Sequence, residues 1–156
     1  MKLVALCLLL SLSVSNQAQR KMPNFTFMHN SCEYANANRS LDDDGQYADT
    51  LHDVRVVRGL VKILKDNPNL AIRLVGHAAA NENVEVAKER ADRVKTDLID
   101  SGIAQSRIQV ESEGSSKPII SNQTILSLNS AVEKEAANQR NRRVEVSVVR
   151  DNYDAP

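Results

Sequence analysis

The chain has 156 residues, of which 42% are hydrophobic, and this is enough for one domain with an apolar core. Its 20 Lys and Arg residues balance its 20 Asp and Glu residues, so it lacks the basic excess typical of proteins that bind polyanions. Aromatic residues make up 3% and Trp is absent, which leaves few side chains to stack on single-stranded nucleic acid. Composition therefore excludes nucleic acid as a partner and predicts one globular domain.

Residues 1–18 have the order of a secretory signal peptide, with a basic start at Lys2, an apolar run and then small residues. The alternative is a membrane anchor, but the apolar run ends near Val14, short of the ~20 residues that cross a bilayer. Cys7 lies inside the apolar run, so we expect it to be removed with the leader. Cys32 then stands alone, and no internal disulfide is expected in the mature chain.

The part of the chain after the leader predicts an edge strand, a helix and a buried strand. Residues 19–46 are polar and Asn-rich, with one strand-like run at Phe25–Met28. Three- and four-residue steps, as an amphipathic helix requires, then relate Leu51, Val54, Val57, Leu60, Val61 and Leu64. Asn67-Pro68 ends this helix, and the apolar run Ala71–Gly76 predicts a buried strand.

The second half of the chain predicts two more strands separated by helices. Helical steps relate Val84, Ala87, Ala91, Val94 and Leu98. We expect a strand over Arg107–Glu113, a short helix around residues 125–132, and a closing strand with alternating valines over residues 144–148. This alternation of strands and helices predicts a sheet of about four strands with helices packed on one side.

No arrangement of residues typical of catalysis or of a metal site is visible. His29, His52 and His77 lack the spacing of a helical metal pair, and no cysteine stands at motif spacing from them. No serine lies in a nucleophile elbow and there is no glycine-rich phosphate loop. We therefore expect no enzymatic activity, no metal and no cofactor. His77 follows Gly76 at a strand end, where ligand sites in such sheets lie, and its alternative role is a hydrogen-bonded structural imidazole.

Two arginines far apart in sequence indicate an anion site. Asn83 precedes Arg90 by seven residues, so two helical turns would place its amide on the same side as Arg90. If Arg142, at the start of the closing strand, approaches that side, two guanidiniums and an amide converge. A guanidinium matches a carboxylate with two parallel hydrogen bonds, which predicts a carboxylate-bearing ligand. The alternative is that the arginines pair with carboxylates of the protein, such as Glu89 or Glu145.

Motifs with fixed spacing run from Leu74 to Val148. They are Gly76-His77, Asn83 followed by Arg90-Ala91-Asp92-Arg93-Val94, Leu98 to Gly102-Ile103 followed by Arg107-Ile108, Gly114 to Pro118, and Asn141-Arg142-Arg143-Val144-Glu145. Together they resemble the peptidoglycan-binding domain found at the C-terminus of outer membrane protein A, in peptidoglycan-associated lipoproteins and in flagellar stator proteins.

The resemblance implies an α+β fold, an OmpA-like sandwich of about four mixed strands in βαβαβ order with helices on one side, over residues 47–150 and followed by a tail at 151–156. It implies an exported, non-enzymatic domain that lies in the periplasm or is held at the outer membrane by a partner. The family's ligand is the diaminopimelate of the peptidoglycan stem peptide, whose carboxylate is held by the helix arginine and whose ammonium meets an aspartate. By position, Arg90 holds the carboxylate, with Asn83 and Arg142 as polar support.

One departure from the family pattern bears on ligand binding. Ala78-Ala79-Ala80 stands where the family has Thr-Asp-x-x-Gly, and the spacing to Arg90 is shorter. Ala79 takes the position of the aspartate, so the ligand ammonium loses its partner unless Glu82 substitutes. Loss of one partner of such a buried charge pair costs about 2–5 kcal/mol. Two hypotheses follow: peptidoglycan binding through the stem peptide, or a domain that has lost this ligand and binds another envelope protein.

Overall fold

The computed structural model describes residue 22, residues 24–35 and residues 51–150, with the backbone alone for residues 51–55 and 150. The predicted signal peptide at residues 1–18, with Cys7, and the predicted tail at residues 151–156 lie outside the described residues. Residues 36–50, the whole segment between Ala35 and Leu51, also lie outside them. The predictions for these parts therefore stay predictions.

A four-stranded mixed sheet lies at the centre of the fold. Its strands are β1 (Phe25–Thr26), β2 (Ala71–His77), β3 (Ile108–Gly114) and β4 (Arg143–Arg150), in the order β1-β4-β2-β3. β2 is parallel to β3, as expected when a helix connects two strands of one sheet, and β4 is antiparallel to both β2 and β1. The predicted α+β fold class with four mixed strands is confirmed.

The described chain also contains four α-helices: α1 (Leu51–Asp66), α2 (Val86–Asp100), α3 (Asn122–Ser127) and α4 (Ala131–Asn141). Helices α1 and α2 pack on one face of the sheet. The core between them is formed by Leu60, Leu64, Ala91, Val94, Leu98, Ile72, Leu74, Val144 and Val146, with Phe25 and Phe27 from the N-terminal strand region. Burying each Leu, Ile or Val of this size contributes about 1.5–3 kcal/mol, so the core is the main source of stability.

Gly76 determines how closely α2 approaches β2. A Cβ atom at this position would lie 1.8 Å from the carbonyl oxygen of Ala87. Because that oxygen belongs to the backbone of α2, any larger residue would push the helix away from the sheet. The close approach brings the first turns of α2, and Arg90 on them, against the end of β2.

Arg107, which we predicted to begin the third strand, lies instead in a 3₁₀ turn at Gln105–Arg107. Its buried guanidinium donates hydrogen bonds of 2.8 Å to the carbonyls of Leu64, Asn67 and Leu70. Carbonyls at the end of a helix have no partner within the helix, and a cation there is also favoured by the helix dipole. Arg107 therefore fixes the end of α1 to the start of β3.

The single short helix predicted around residues 125–132 consists of two helices, α3 and α4. Ser130 is the cause of the break, because its hydroxyl accepts a hydrogen bond from the Glu133 amide while the Glu133 carboxylate accepts one from the Ser130 amide. This capping box starts a new helix at residue 131. The new helix continues to Asn141 and carries a carboxylate that lies beside the candidate site.

Candidate ligand-binding site

Arg90 lies on α2 with its side chain fully buried. Its Nε donates to the Ser31 carbonyl at 3.0 Å, its Nη1 to the His77 carbonyl at 3.1 Å and to Glu82 Oε2 at 2.9 Å, and its Nη2 to the Met28 carbonyl at 2.9 Å and to Glu82 Oε1 at 2.6 Å. A guanidinium has five N–H donors, and here each has an acceptor from the protein. In this arrangement Arg90 has no donor left for a ligand.

Glu82 pairs with both Nη atoms of Arg90, the guanidinium that we expected to hold a ligand carboxylate. Its side chain is fully buried, and besides Arg90 it accepts hydrogen bonds of 2.8 Å from the amides of Asn30 and Ala79. Burial alone would raise the pKa of Glu82, but the hydrogen bonds from Arg90, Ala79 and Asn30 outweigh burial and hold this pKa below its ordinary value. Glu82 is therefore an ionised carboxylate inside the protein.

A turn near the N-terminus, residues 28–31, covers this ion pair. Met28 and Ser31 supply carbonyl acceptors to Arg90, and Asn30 supplies its amide to Glu82. Asn30 has a φ of +46°, in the left-handed region that asparagine tolerates better than most residues. The sequence predicted only an edge strand and a loop here, whereas this N-terminal turn completes the site.

Arg142 is the second guanidinium of the site. It follows the last residue of α4 and immediately precedes β4, at the entry to the closing strand. Its Nη1 and Nη2 donate to the two oxygens of Glu135 at 2.6 and 2.9 Å. Its Nε lies 3.4 Å from Glu82 Oε1, close enough for an ion pair but without a hydrogen bond. Arg90, Glu82, Arg142 and Glu135 thus form a chain of alternating charges, which we call the arginine cluster.

Glu135 differs from Glu82 in its exposure. Its side chain is 58% exposed, while Arg142 beneath it is 2% exposed. The hydrogen bonds from Arg142 lower the pKa of Glu135 against the opposing effect of its partial burial. Glu135 was not among the residues expected at this site. Its position seven residues before Arg142 could have indicated it, because two helical turns place both on one face, had the extent of α4 been foreseen.

Asn83 does not join the cluster, and its predicted placement on α2 is wrong. The helix begins at Val86, so Asn83 lies in the preceding loop and is exposed. Its side-chain oxygen accepts a hydrogen bond from the backbone amide of Glu85 at 3.1 Å. Its backbone amide donates to Asn30 Oδ1 at 3.0 Å. Asn83 therefore holds the loop and the N-terminal turn together and does not present an amide to Arg90.

His77 contributes its carbonyl to Arg90, but its imidazole lies elsewhere. The ring is buried near Glu145, with 3.8 Å between Nε2 and Glu145 Oε1, and neither ring nitrogen has a hydrogen-bond partner. Burial, and then the charge of Arg143, lower the pKa of His77. Glu145 itself is paired with Arg143 at 2.6 Å. The carboxylate that binds Arg90 is therefore Glu82, and neither Glu145 nor Glu89, which were considered as its partners.

The other described features lie apart from the cluster. A cleft of about 360 Å³ between α1 and α2 is lined by Tyr34, Val57, Arg58, Arg93, Asp97, Asp100 and Ser101, none of which belongs to the predicted site. Within the described ranges, no three His, Cys, Asp or Glu side chains gather in a way that could hold a metal ion. No helix in the part of the chain that the structure describes is long and apolar enough to cross a bilayer.

Comparison with known families and proteins gives one family match and matches to two curated bacterial proteins. The OmpA family matches residues 51–142, more than half of the chain. The probable lipoprotein YiaD of Escherichia coli (strain K12) is 30% identical over 94 residues, which are 58% of this chain and 38% of that protein. Outer membrane porin F of Pseudomonas fluorescens is 33% identical over 96 residues, which are 59% of this chain and 26% of that protein. The chain thus matches less than half of the length of each of these relatives.

Solved structures with a similar fold include two proteins from bacteria. The peptidoglycan-associated lipoprotein from Burkholderia pseudomallei superposes with a TM-score of 0.55 at 19% identity, covering 80% of this chain and 88% of that one. The C-terminal domain of MotB from Helicobacter pylori superposes with a TM-score of 0.56 at 22% identity, covering 83% of this chain and 85% of that one. At these identities the likeness concerns the fold.

Proposed function

Because the chain belongs to the OmpA family, we propose that it is a non-enzymatic domain of the cell envelope that binds peptidoglycan non-covalently through the diaminopimelate carboxylate of the stem peptide. In this proposal the carboxylate is recognised at the site formed by Arg90 and Arg142. A domain of similar fold belongs to a protein named as a peptidoglycan-associated lipoprotein, which supports the ligand class. Export to the periplasm, free or held at the outer membrane by a partner, is part of the proposal.

The observation that carries the proposal is the environment of the Glu82 carboxylate. It lies between two buried guanidiniums and accepts two hydrogen bonds from Arg90 and one each from two backbone amides. Paired N–H donors of a guanidinium recognise the planar geometry of a carboxylate, which a lysine does not reproduce. The arginine cluster therefore binds a carboxylate of the protein with the kind of donors that a carboxylate ligand needs, and a ligand has to displace a protein carboxylate to reach them.

The same observation predicts weak binding of the free amino acid. A ligand has to compete with carboxylates of the protein, and an internal group acts at an effective concentration of millimolar order or above. Ala79 supplies no carboxylate to the ligand ammonium, and the missing partner costs about 2–5 kcal/mol. We therefore expect diaminopimelate to bind only at millimolar concentrations.

Co-sedimentation with purified sacculi tests the proposal. We expect the full chain to pellet with sacculi of the diaminopimelate type and to be released by free meso-diaminopimelate. Sacculi of the lysine type are the matched control, because lysine retains the side-chain amine and lacks the terminal carboxylate. Equal retention on both types would mean that the carboxylate is not recognised, and absence of retention on either would reject peptidoglycan as the ligand.

The second candidate is a domain that has lost peptidoglycan binding and binds another protein of the envelope. The engagement of all five Arg90 donors within the protein favours it. Glu82, considered from the sequence as a substitute for the missing aspartate, has both oxygens buried and bonded to the protein. It therefore has no oxygen directed at a ligand ammonium.

Amide NMR spectra separate the two candidates. If the second is correct, millimolar meso-diaminopimelate leaves the amides of residues 78–90 and 135–143 unshifted, and photo-cross-linking in cells joins the chain to a protein of the envelope. Shifts confined to these two ranges would favour the first candidate. Lysine at the same concentration provides the control for non-specific effects of an amino acid.

A further inference from the structure

The two ion pairs of the arginine cluster are unequal in how easily they open. We propose that the ligand carboxylate binds to Arg142 by replacing Glu135, while Arg90 and Glu82 remain paired as a structural element. This inference rests on the proposed function, and it assigns the first contact to a different arginine from the one on α2 that the family resemblance indicates. Glu135 is, in this view, an internal competitor for the site.

Exposure distinguishes the two carboxylates. The Glu135 side chain is 58% exposed, whereas the Glu82 side chain is 0% exposed. Glu135 can therefore leave Arg142 by rotating into water, where its charge is solvated. Glu82 has no such path in the described structure, because its side chain is 0% exposed and is held by the N-terminal turn and the loop after β2.

The number of donors left behind also differs. When Glu135 leaves, Nη1 and Nη2 of Arg142 lose their acceptors, and the incoming carboxylate replaces both bonds. When Glu82 leaves, two donors of the fully buried Arg90 lose their acceptors, and so do the backbone amides of Asn30 and Ala79. Unsatisfied buried donors are strongly unfavourable, so exchange at Arg142 is the easier of the two.

Arg142 is already held in a binding position. Its amide donates to the Asn138 carbonyl at 3.1 Å, and its carbonyl accepts from the Phe27 amide at 3.0 Å, so the backbone is fixed on both sides. The Glu82 carboxylate, 3.4 Å from Nε, attracts the guanidinium from below. A guanidinium that keeps its position when Glu135 departs lowers the ordering cost of binding a ligand.

The nearby charge of Glu82 selects among anions. A monovalent carboxylate that replaces Glu135 leaves the net charge of the cluster unchanged. A phosphate dianion would bring an additional negative charge next to buried Glu82, where repulsion is only weakly screened. The ligand class is therefore a carboxylate, and inorganic phosphate is the probe that tests this selectivity.

The test is a titration of the full chain with meso-diaminopimelate. The ¹⁵N–¹H signals of the Arg142 and Arg90 Nε groups monitor binding. We expect the Arg142 signal to move and the Arg90 signal to stay. Glu135→Gln removes the internal competitor, and since an exposed ion pair is worth little, affinity should rise by about two- to fivefold. Glu89→Gln, which removes an exposed carboxylate on α2, is the matched control and should leave affinity unchanged.

The outcomes separate this inference from the proposed function. If the wild-type chain pellets with sacculi but Glu135→Gln and Glu89→Gln bind diaminopimelate equally, or if the Arg90 signal moves instead, the inference alone is wrong. If Glu135→Gln binds diaminopimelate more tightly while the chain ignores sacculi, the carboxylate site stands and the proposed function is wrong. Phosphate binding as tight as that of diaminopimelate would contradict the assigned ligand class.

Discussion

The pairs Arg90–Glu82 and Arg142–Glu135 have the same bonding geometry and different surroundings. In each, two nitrogens of a guanidinium meet two oxygens of a carboxylate at 2.6 and 2.9 Å. In the first pair both side chains are fully buried, whereas in the second the arginine is buried and the carboxylate is 58% exposed. Distances alone would give the two pairs equal importance.

The difference teaches that the role of an ion pair depends on what else relies on its partners. Removing Glu82 strands donors of the helix, the loop after β2 and the N-terminal turn together. Removing Glu135 affects Arg142 alone among the described hydrogen-bond partners. A buried charge that joins three segments is therefore structural, and a carboxylate at the rim of a buried arginine is replaceable.

Glu82→Ala should have the largest effect on stability. It leaves Arg90 as an uncompensated buried cation, so we expect the free energy of unfolding to fall by about 3–5 kcal/mol. Urea denaturation followed by circular dichroism measures this loss. Glu135→Ala is the matched variant at the exposed pair, with an expected loss of at most about 1 kcal/mol. Equal losses for the two variants would contradict the distinction between a structural and a replaceable pair.

Acid should weaken the protein through the same carboxylates. The pKa of folded Glu82 lies below its ordinary value of 4.5, so its contribution to stability is complete above about pH 4.5 and is lost as the pH falls through the folded pKa. We expect the unfolding free energy of Glu82→Gln to depend less steeply on pH than that of the wild type in this acid range. A wild-type curve parallel to that of Glu82→Gln would exclude an ionised Glu82 as a source of stability.

His77 does not obscure this comparison. The pKa of His77 is lowered in the folded protein, so the unfolded chain takes up a proton first as the pH falls below the ordinary value of 6.5. Stability decreases there, at a less acid pH than the loss due to Glu82. The contribution is common to wild type and variant, so it cancels in the difference between their curves. Glu135→Gln, measured in the same way, should remove a smaller part of the acid dependence because its carboxylate is more exposed.

Salt should produce the smallest effect and should act on one pair only. At 1 M ionic strength the screening length is about 3 Å, which weakens exposed ion pairs far more than buried ones. The small loss of stability in Glu135→Ala should therefore disappear in 1 M NaCl, while the loss in Glu82→Ala should persist. Urea denaturation of the two variants at low and high salt measures this, and a salt-sensitive Glu82 would mean that water reaches the buried pair.

Much of the fold could be predicted because it follows from local periodicity. The apolar steps that indicated α1 and α2 and the alternation that indicated β4 depend on residues a few positions apart. The boundary between α3 and α4 was missed because it depends on the hydrogen-bonding of Ser130 and not on apolar spacing. Val84 was placed on α2 but precedes it and is 51% exposed, since the loop after β2 is longer than the stripe suggested.

The site was less predictable because its contacts join distant parts of the chain. The approach of Arg142 to Arg90 was anticipated from spacing and resemblance, and Glu82 now links the two guanidiniums. The carbonyls of Met28 and Ser31, however, accept from Arg90 across about sixty sequence positions. Every residue type carries a backbone carbonyl, so the sequence does not indicate which residues supply these acceptors. No pattern in the sequence predicts that all five hydrogen-bond donors of an arginine will find acceptors within the protein.

The N-terminal turn has a practical consequence for anyone who isolates this domain. The family match begins at residue 51, so a fragment cut at that boundary would lack the acceptors of two Arg90 donors and the amide that binds Glu82. Water would then enter the ion pair, and such a fragment would report ligand affinities that the intact chain does not have. A fragment that starts before Phe25 keeps the N-terminal turn over the arginine cluster.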